Sequence, residues 1–287
     1  MKVYPALDVR SGSGDLIQAI VDDFEPTAIE ARDKTIRVFF VSREQRDSAA
    51  AALADAEYAT ESIDVPDEDW ARRSQEHLTP ITIGRITIVP SPESRAPSSE
   101  SRLPSSAPVP SLQPPVTLVI QPSMGFGTGH HATTRLCLAA LQTLDLSKAF
   151  LLDVGTGSGV LAIAAARLGA ARALGIDTDA DALQSARENL ARNPDARHVE
   201  FALADLMSAP LPQADVVTAN LTGALLVRAA AILQRALRPG GSLIVSGLLT
   251  EERTAVRTAF EGLTPMWEAI EDGWIGLGFS APHGPRL

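Results

Sequence analysis

The feature that most constrains the fold is a glycine-rich turn between an apolar run and an alanine-rich run. Residues 151–169 read LLDVGTGSGVLAIAAARLG, with Gly155, Gly157 and Gly159 in the turn. Glycine permits a tight turn and lets backbone amides approach a ligand closely. The pattern predicts a strand, a ligand-binding turn and a helix, with the ligand at the carboxyl ends of the strands.

Strand-like and helix-like runs alternate regularly from residue 149 onward. Helices are predicted at 159–168, 179–192, 222–237 and 250–260, and strands at AFLLDV, RALGID, HVEFAL, ADVVTAN and GSLIVSG. Two final runs, PMWEAIE and GWIGLGFS, are expected to close the sheet antiparallel. The predicted fold class is α/β, a doubly wound Rossmann-like domain with helices on both faces of the sheet.

The N-terminal part has the pattern of a small α+β domain. Residues 1–66 contain, in order, VYPALDV, GDLIQAIVDDF, a hairpin with its turn near residues 32–34, REQRDSAAAALADA and YATESIDV. This β-α-β-β-α-β order predicts a ferredoxin-like sandwich. Residues 67–80, around Trp70, are predicted to form a linker helix, and residues 81–287 the α/β domain.

A serine- and proline-rich stretch interrupts the start of the α/β domain. Of the 25 residues from 91 to 115, 15 are Ser or Pro, and such a segment buries too little apolar surface to offset its ordering entropy. The flanking runs ITIGRITIV (81–89) and VTLVIQ (116–121) alternate alike. We therefore predict a disordered insertion at the tip of a hairpin formed by these two runs.

Charge and cysteine content restrict the partners. Residues 1–90 hold 17 Asp and Glu against 10 Lys and Arg, within a net charge of −10 for the chain. This excess disfavours direct nucleic-acid binding, which depends on Lys and Arg. It suits a basic protein partner, although solubility alone explains it equally well. The single cysteine, Cys137 in LCLAAL, is expected to be a buried apolar residue, and no Cys-based metal site is expected.

The sequence contains no apolar stretch near the ~20 residues that span a bilayer. Its first residues, MKVYPALDVR, lack the apolar core of a signal peptide. We therefore expect a cytoplasmic protein that does not enter a membrane.

The glycines alone do not distinguish NAD(P) from S-adenosylmethionine as the ligand. A structural turn that binds no ligand is a third, weaker interpretation. Asp153 ends the first strand, where a carboxylate is awkward beside a pyrophosphate but suits the ammonium of a methionyl group. Asp177 ends the second strand and is placed to accept both ribose hydroxyls, while Asp179 is expected to cap the next helix. Together with the resemblance described next, these residues favour S-adenosylmethionine.

The segment PSMGFGTGHHATTRLCL (122–138) resembles the signature of the ribosomal protein L11 methyltransferases, the PrmA type. The resemblance continues through the glycine-rich turn, GIDTD, ANLTGALL (219–226), RPGGSLIVSGLL (238–249) and EDGWIGLGF with Trp274. It covers nearly all of residues 120–280. The N-terminal domain matches the family only in size and pattern, and the serine- and proline-rich stretch departs from it.

The resemblance implies roles for individual residues. Thr134, Gly155, Asp177 and Asn220 fall on cofactor-binding positions, and Phe126, Gly127, Thr128 and His131 on a loop over the methionyl end. His131 is expected to orient groups or contact the loop rather than act as a general base. Asn220 would position the attacking amine, its alternative being a helix cap. Asp205 would contact the adenine amino group, and His130 is expected at the surface.

The resemblance further implies N-methylation of lysine ε-amines, and of an N-terminal α-amine, in a basic large-subunit ribosomal protein. The acidic N-terminal domain would hold this substrate, and the enzyme is expected to be a monomer. The alternatives are a methyltransferase for another protein lysine or a small molecule, a nicotinamide-dependent oxidoreductase, and a non-catalytic ribosome-binding protein.

Overall fold

The computed structural model describes residues 3–10, 17, 20, 21, 24, 26–31, 35–66, 79–91, 114–121 and 129–283. The chain divides into two compact units, Met1–His77 and Leu78–Leu287. The predicted linker helix around Trp70 and the predicted hairpin turn at 32–34 lie outside the described residues. No helix within the described ranges is long and apolar enough to cross a membrane.

The first unit contains a four-stranded antiparallel sheet. Its strands are β1 (Val3–Arg10), β2 (Ala28–Ala31), β3 (Thr35–Phe39) and β4 (Ala59–Pro66), in the order β2-β3-β1-β4. Every neighbouring pair is antiparallel. This is the strand order of the ferredoxin-like sandwich, so the predicted strand arrangement of this unit is confirmed. Most of the predicted first helix, at 14–24, lies outside the described residues.

Alternation along β1 explains how this sheet covers a core. Leu7 and Val9 point to one face, where they pack with Leu53 of helix α1 (Arg43–Asp55). Ala6 lies on the other face with Phe39, because successive strand side chains point to opposite faces. Helix α1 begins with a capping box between Ser42 and Gln45, which satisfies otherwise unpaired backbone amides.

A seven-stranded sheet forms the centre of the second unit. Its strands are β8 (Phe150–Val154), β9 (Arg172–Asp177), β10 (Val199–Leu203), β11 (Ala214–Asn220), β12 (Leu237–Leu249), β13 (Thr264–Glu271) and β14 (Trp274–Ser280). The order is β10-β9-β8-β11-β12-β14-β13. The first five are parallel, and β14 and β13 close the sheet antiparallel as predicted.

Helices cover both faces of this sheet. They are α2 (Ala132–Leu141), α3 (Val160–Arg167), α4 (Ala180–Ala191), α5 (Gly223–Arg235) and α6 (Arg253–Ala259), which follows a 3-10 turn at Thr250–Glu252. Consecutive buried residues of β8 show the two layers: Leu151 belongs to one core cluster and Leu152 to the other. The doubly wound α/β prediction is therefore confirmed.

The direction of the chain reverses between β8 and β11. From β8 the chain moves outward through β9 to β10, and then returns to place β11 on the other side of β8. In open α/β sheets, ligands bind at such a switch point, beyond the carboxyl ends of the strands.

A separate three-stranded sheet corrects the hairpin prediction. Strands β5 (Ile81–Ile83) and β6 (Ile86–Val89) form a hairpin within the first run, turning at Gly84, whose φ is +56°. Strand β7 (Val116–Val119) then pairs with β6 in parallel. The predicted hairpin between 81–89 and 116–121 is therefore wrong, because alternation records which face is buried and not strand direction. The insertion itself, at 92–113, lies outside the described residues.

Candidate functional site at the switch point

The glycine-rich turn leads from β8 into α3 and is bonded to the end of β9. Gly155, Gly157 and Gly159 have φ angles of +71°, +53° and +79°, a region that side chains disfavour. The Gly155 and Thr156 amides both donate to the Ile176 carbonyl at 2.9 Å. These bonds hold the turn at the carboxyl edge of the sheet.

The turn is also packed too tightly for a side chain. A Cβ at Gly155 would lie 2.6 Å from Leu221 Cδ2, and one at Gly159 would lie 2.7 Å from Phe201 Cζ. These distances are shorter than van der Waals contact, so the glycines serve the packing as well as the backbone angles.

Asp177 lies half-buried at the end of β9. Its Oδ2 accepts the Gly157 amide at 2.9 Å and its Oδ1 accepts the Asp179 amide at 3.1 Å. Asp179 caps α4 by accepting from the Asp181 amide, as expected from the sequence. Because a carboxylate oxygen accepts two hydrogen bonds, each Asp177 oxygen retains one acceptor position for a hydroxyl.

Asp153 is placed differently from the expectation of an ammonium contact. The residue is 1% exposed, and the hydroxyls of Thr156 and Thr218 donate to its two oxygens at 2.6 and 2.7 Å. Burial, and to a smaller extent the charge of Asp177, raise the pKa of Asp153 to about 6 against the opposing effect of these hydroxyls. The carboxylate therefore ties the turn to β11 from inside the protein, because burial separates its oxygens from an open cleft.

Asn220 ends β11 beside the glycine-rich turn. Its Nδ2 donates to Thr134 Oγ1 at 3.5 Å, which brings two predicted site residues together across β11 and α2. Thr222, not Asn220, occupies the N-cap of α5, so the helix-cap alternative for Asn220 is wrong. Gly247, with φ +88°, lies against this strand end: a Cβ there would be 2.4 Å from the Leu221 carbonyl oxygen.

His131 caps α2 rather than facing solvent. Its Nδ1 accepts from the Thr133 amide and lies 2.8 Å from Thr133 Oγ1. A neutral imidazole that accepts at Nδ1 carries its proton on Nε2 and is a donor there. Burial, and then the nearby Arg135, lower the pKa of His131. The geometry favours an orienting donor over a general base.

The C-terminal hairpin of β13 and β14 contacts the start of α2 through an ion pair at Arg135 and a ring contact at His131. Arg135 donates to Glu271 at 2.8 Å and lies 3.3 Å from Asp272. The Trp274 ring then meets the His131 ring edge-on, with centroids 4.9 Å apart. His130 is partly exposed, and its Nε2 lies 2.9 Å from the Thr79 carbonyl oxygen.

Asp205 follows β10 and stabilises its own turn. Its oxygens accept from the Met207 amide and the Ser208 hydroxyl at 2.8 and 3.0 Å. The preceding Ala204 amide donates to the Asp177 carbonyl oxygen, so Asp205 lies close along the chain to the Asp177 end of the site.

Several expected positions add nothing to this geometry. Phe126, Gly127 and Thr128 lie outside the described residues. Cys137 is fully buried in the core, and burial raises the pKa of its thiol, as its apolar surroundings predict.

Sequence reasoning did not single out four residues that support the site: Thr156, Thr218, Gly247 and Asn189. Thr218 places a hydroxyl within the buried run of β11, and Asn189 places an amide among the buried residues of α4. A polar side chain at a core-facing position is the signal that would have identified both, because burial of a polar group requires a bonded partner.

Comparison with known proteins agrees with this geometry. The family model described as ribosomal protein L11 methyltransferase (PrmA) matches residues 15–281. Relatives named ribosomal protein L11 methyltransferase include one from Deinococcus radiodurans, 39% identical over 88% of this chain and 89% of its own. Another, from Geobacter metallireducens, is 39% identical over 94% of this chain and 90% of its own.

A solved structure is similar as well. It is the crystal structure of ribosomal protein L11 methylase from Lactobacillus delbrueckii subsp. bulgaricus, with a TM-score of 0.59 and 26% identity. The match covers 72% of this chain and 100% of that one.

Proposed function

Because the chain belongs to the ribosomal protein L11 methyltransferase family, we propose that it transfers methyl groups from S-adenosylmethionine to amino groups of ribosomal protein L11. The observation that carries this proposal is the meeting of three groups at the switch point. They are a glycine-rich turn, the half-buried carboxylate of Asp177 and the amide of Asn220.

The residues at the switch point fit S-adenosylmethionine. The turn holds Gly155 and Gly157 at positive φ at the carboxyl edge of the sheet, where the absence of side chains lets a ligand approach the backbone closely. Asp177 keeps one acceptor position on each oxygen for the two ribose hydroxyls. We assign Gly155, Gly157 and Gly159 to the methionyl side and Asp205 to the adenine side of the same cleft.

The proposed chemistry requires alignment more than acid–base power. The cofactor, when bound, supplies a methyl group activated on a sulfonium. Asn220 accepts a hydrogen bond from the incoming neutral amine through Oδ1, while its Nδ2 is oriented by Thr134. His131 donates from Nε2 beside Trp274. Fixed orientation of this kind lowers the entropic part of the barrier.

The proposed amine is a lysine ε-amine, with the N-terminal α-amine as a second class. An amide such as Asn220 binds either amine without introducing a charge that would hold it as ammonium. We propose a cytoplasmic location for the enzyme, because the proposed substrate is a ribosomal protein.

We also propose a division of labour between the two units. Every described group of the cofactor site belongs to the unit Leu78–Leu287. The unit Met1–His77 carries 17 acidic residues against 9 basic ones. Complementary charge speeds encounter with a basic protein, which supports a substrate-holding role for the N-terminal unit.

The test is the intact mass of purified ribosomal protein L11 after incubation with the enzyme and S-adenosylmethionine. We expect mass increases in steps of one methyl group, which peptide mapping assigns to lysines or to the N-terminus. The variant Asn220→Ala should still capture the substrate but reduce kcat by at least about tenfold, through poorer alignment of the amine. An unchanged L11 mass would contradict the proposed substrate.

A further inference from the structure

A buried amide on α4 occupies a position where packing alone would favour an apolar side chain. Asn189 is 1% exposed. It continues the buried stripe formed by Ala182, Leu183 and Ala186, which is the helical spacing of a core-facing surface. Burying an amide costs free energy unless its donor and acceptor are both bonded. An amide at this position is therefore expected to have hydrogen-bond partners for both its donor and its acceptor.

Both ends of the Asn189 amide bind backbone from different parts of the unit. Its Nδ2 donates to the Ser158 carbonyl oxygen at 3.0 Å, within the glycine-rich turn. Its Oδ1 accepts the Gln121 amide at 2.9 Å, just after β7. Ser158 is 0% exposed, so solvent cannot replace the bond that Asn189 donates to it.

Asn193 offers a natural comparison, because it has the same chemistry and similar burial. Its Oδ1 accepts the Val119 amide at 3.0 Å, and its Nδ2 donates to the Val119 and Asn189 carbonyl oxygens at 2.8 and 2.7 Å. The two asparagines thus bond to alternate backbone positions, Asn193 to Val119 at the end of β7 and Asn189 to Gln121 just after it. Only the bonds of Asn189 extend to the glycine-rich turn.

We propose that Asn189 is a positioning residue for S-adenosylmethionine, acting through the glycine-rich turn. It fixes the Ser158 carbonyl from the α4 side, while Asp177 fixes the Gly157 amide from the end of β9. Two side chains therefore fix the backbone of the turn at which the cofactor is proposed to bind. The inference rests on the proposed cofactor role of this turn.

The first test compares Asn189→Ala with its matched control Asn193→Ala. Calorimetric titration with S-adenosylmethionine should show Kd raised by at least about tenfold in Asn189→Ala, because the buried Ser158 carbonyl loses the hydrogen bond from Asn189. Asn193→Ala should stay within about twofold of the wild type, because its lost bonds are to the Val119 and Asn189 backbone and none is to the glycine-rich turn. Thermal unfolding of both variants measures the general loss of stability.

The second test keeps the volume of the side chain and uses pH as the readout. In Asn189→Asp the carboxylate still accepts from Gln121 but repels the Ser158 carbonyl oxygen. Burial raises the pKa of such a carboxyl, and its protonated form donates to Ser158 as the amide did. The Kd of this variant should therefore fall as pH is lowered from about 8 to about 6. Wild type and Asn193→Asp, measured in the same buffers, account for the titration of Asp153 and of the ligand itself.

The outcomes separate this inference from the function on which it rests. If the wild type binds and Asn189→Ala binds equally well, the positioning role is overturned and the proposed function stands. An equal loss of affinity in Asn193→Ala would overturn it too, as it would show a general effect of destabilisation. If the folded wild type does not bind S-adenosylmethionine, both fail. Selective loss in Asn189→Ala, with low-pH recovery in Asn189→Asp, supports the inference.

Discussion

At the scale of single residues, Asp177 and Asp153 have different roles because one is half-buried beside the switch point and the other is fully buried. Asp177 is half-buried and keeps acceptor capacity toward the switch point. Asp153 is buried, and two threonine hydroxyls donate to it. The first is placed to meet a ligand, whereas the second acts on the turn and on β11 from within the core.

Removing the Asp177 carboxylate should weaken cofactor binding without unfolding the protein. In Asp177→Ala the ribose hydroxyls lose their acceptors, so the Kd for S-adenosylmethionine should rise by at least about tenfold by calorimetry. The neighbouring Asp179→Ala is the control: it removes the cap of α4, which should lower stability by about 1 kcal/mol with little change in Kd. Equal affinities for wild type and Asp177→Ala would show that the ribose contact is assigned wrongly.

Asp153 should make stability depend on pH in the direction opposite to a typical ion-paired aspartate. Its pKa in the folded protein is about 6, above its unfolded value, so folding favours the protonated form. Its contribution to stability is complete below the unfolded pKa and is lost as pH rises through about 6.

The comparison with Asp153→Asn isolates this contribution, since asparagine does not titrate. The quantity to compare is the free energy of unfolding of the wild type minus that of Asp153→Asn, measured in urea. This difference should be larger by about 1 kcal/mol at pH 5.5 than at pH 7.5. A stability difference that stays constant between these pH values would mean that Asp153 remains ionised in the folded protein.

At the scale of elements, the parallel pairing of β6 and β7 determines which connections between them are possible. Val89 pairs with Val119 and Ile86 with Val116, so the chain leaving β6 must return along the whole strand before entering β7. That return covers about 10 Å, and parallel neighbours generally need a crossover of about a dozen residues.

Loop replacement tests this pairing directly. Replacing residues 92–113 with about twelve Gly and Ser residues should change the free energy of unfolding by less than about 1 kcal/mol, because loop entropy varies slowly with length. A two-residue Gly-Asn replacement should instead disrupt β7 and lower Tm and cofactor affinity. Equal stability of the two variants would contradict parallel pairing. A large loss in the longer variant would show that residues 92–113 contribute packing.

At the scale of the whole molecule, the proposed division between units predicts two separable losses. A chain beginning at Leu78 retains every described strand of the seven-stranded sheet and should bind S-adenosylmethionine with near wild-type Kd. Its methylation of full-length L11 should fall by at least about tenfold, because the substrate is no longer held near the site. Full activity of this shorter chain would contradict a substrate-holding role for the N-terminal unit.

Salt should reproduce part of this loss in the intact enzyme. Screening weakens the attraction between an acidic unit and a basic substrate, so KM for L11 should rise between low and high ionic strength while Kd for the cofactor changes little. The chain beginning at Leu78 serves as the control, and its residual activity should depend less on salt.

The periodic and local features of this protein could be predicted from its sequence. Alternating runs predicted the five parallel strands, the antiparallel closing pair and the ferredoxin-like order, because hydrophobic period follows from backbone geometry. The glycines predicted the turn, and Asp179 the helix cap, since both depend on neighbouring residues. The family resemblance was readable for the same reason, as its motifs are short and contiguous.

Only the tertiary structure decided which groups meet across elements. The direction of β7, the burial of Asp153 between Thr156 and Thr218, and the pairing of Asn220 with Thr134 join residues distant in sequence. No local pattern records such contacts, because they arise when separately predictable elements pack. The amide of Asn189 shows the same limit, since its side chain is explained by the two backbones that packing brings to it.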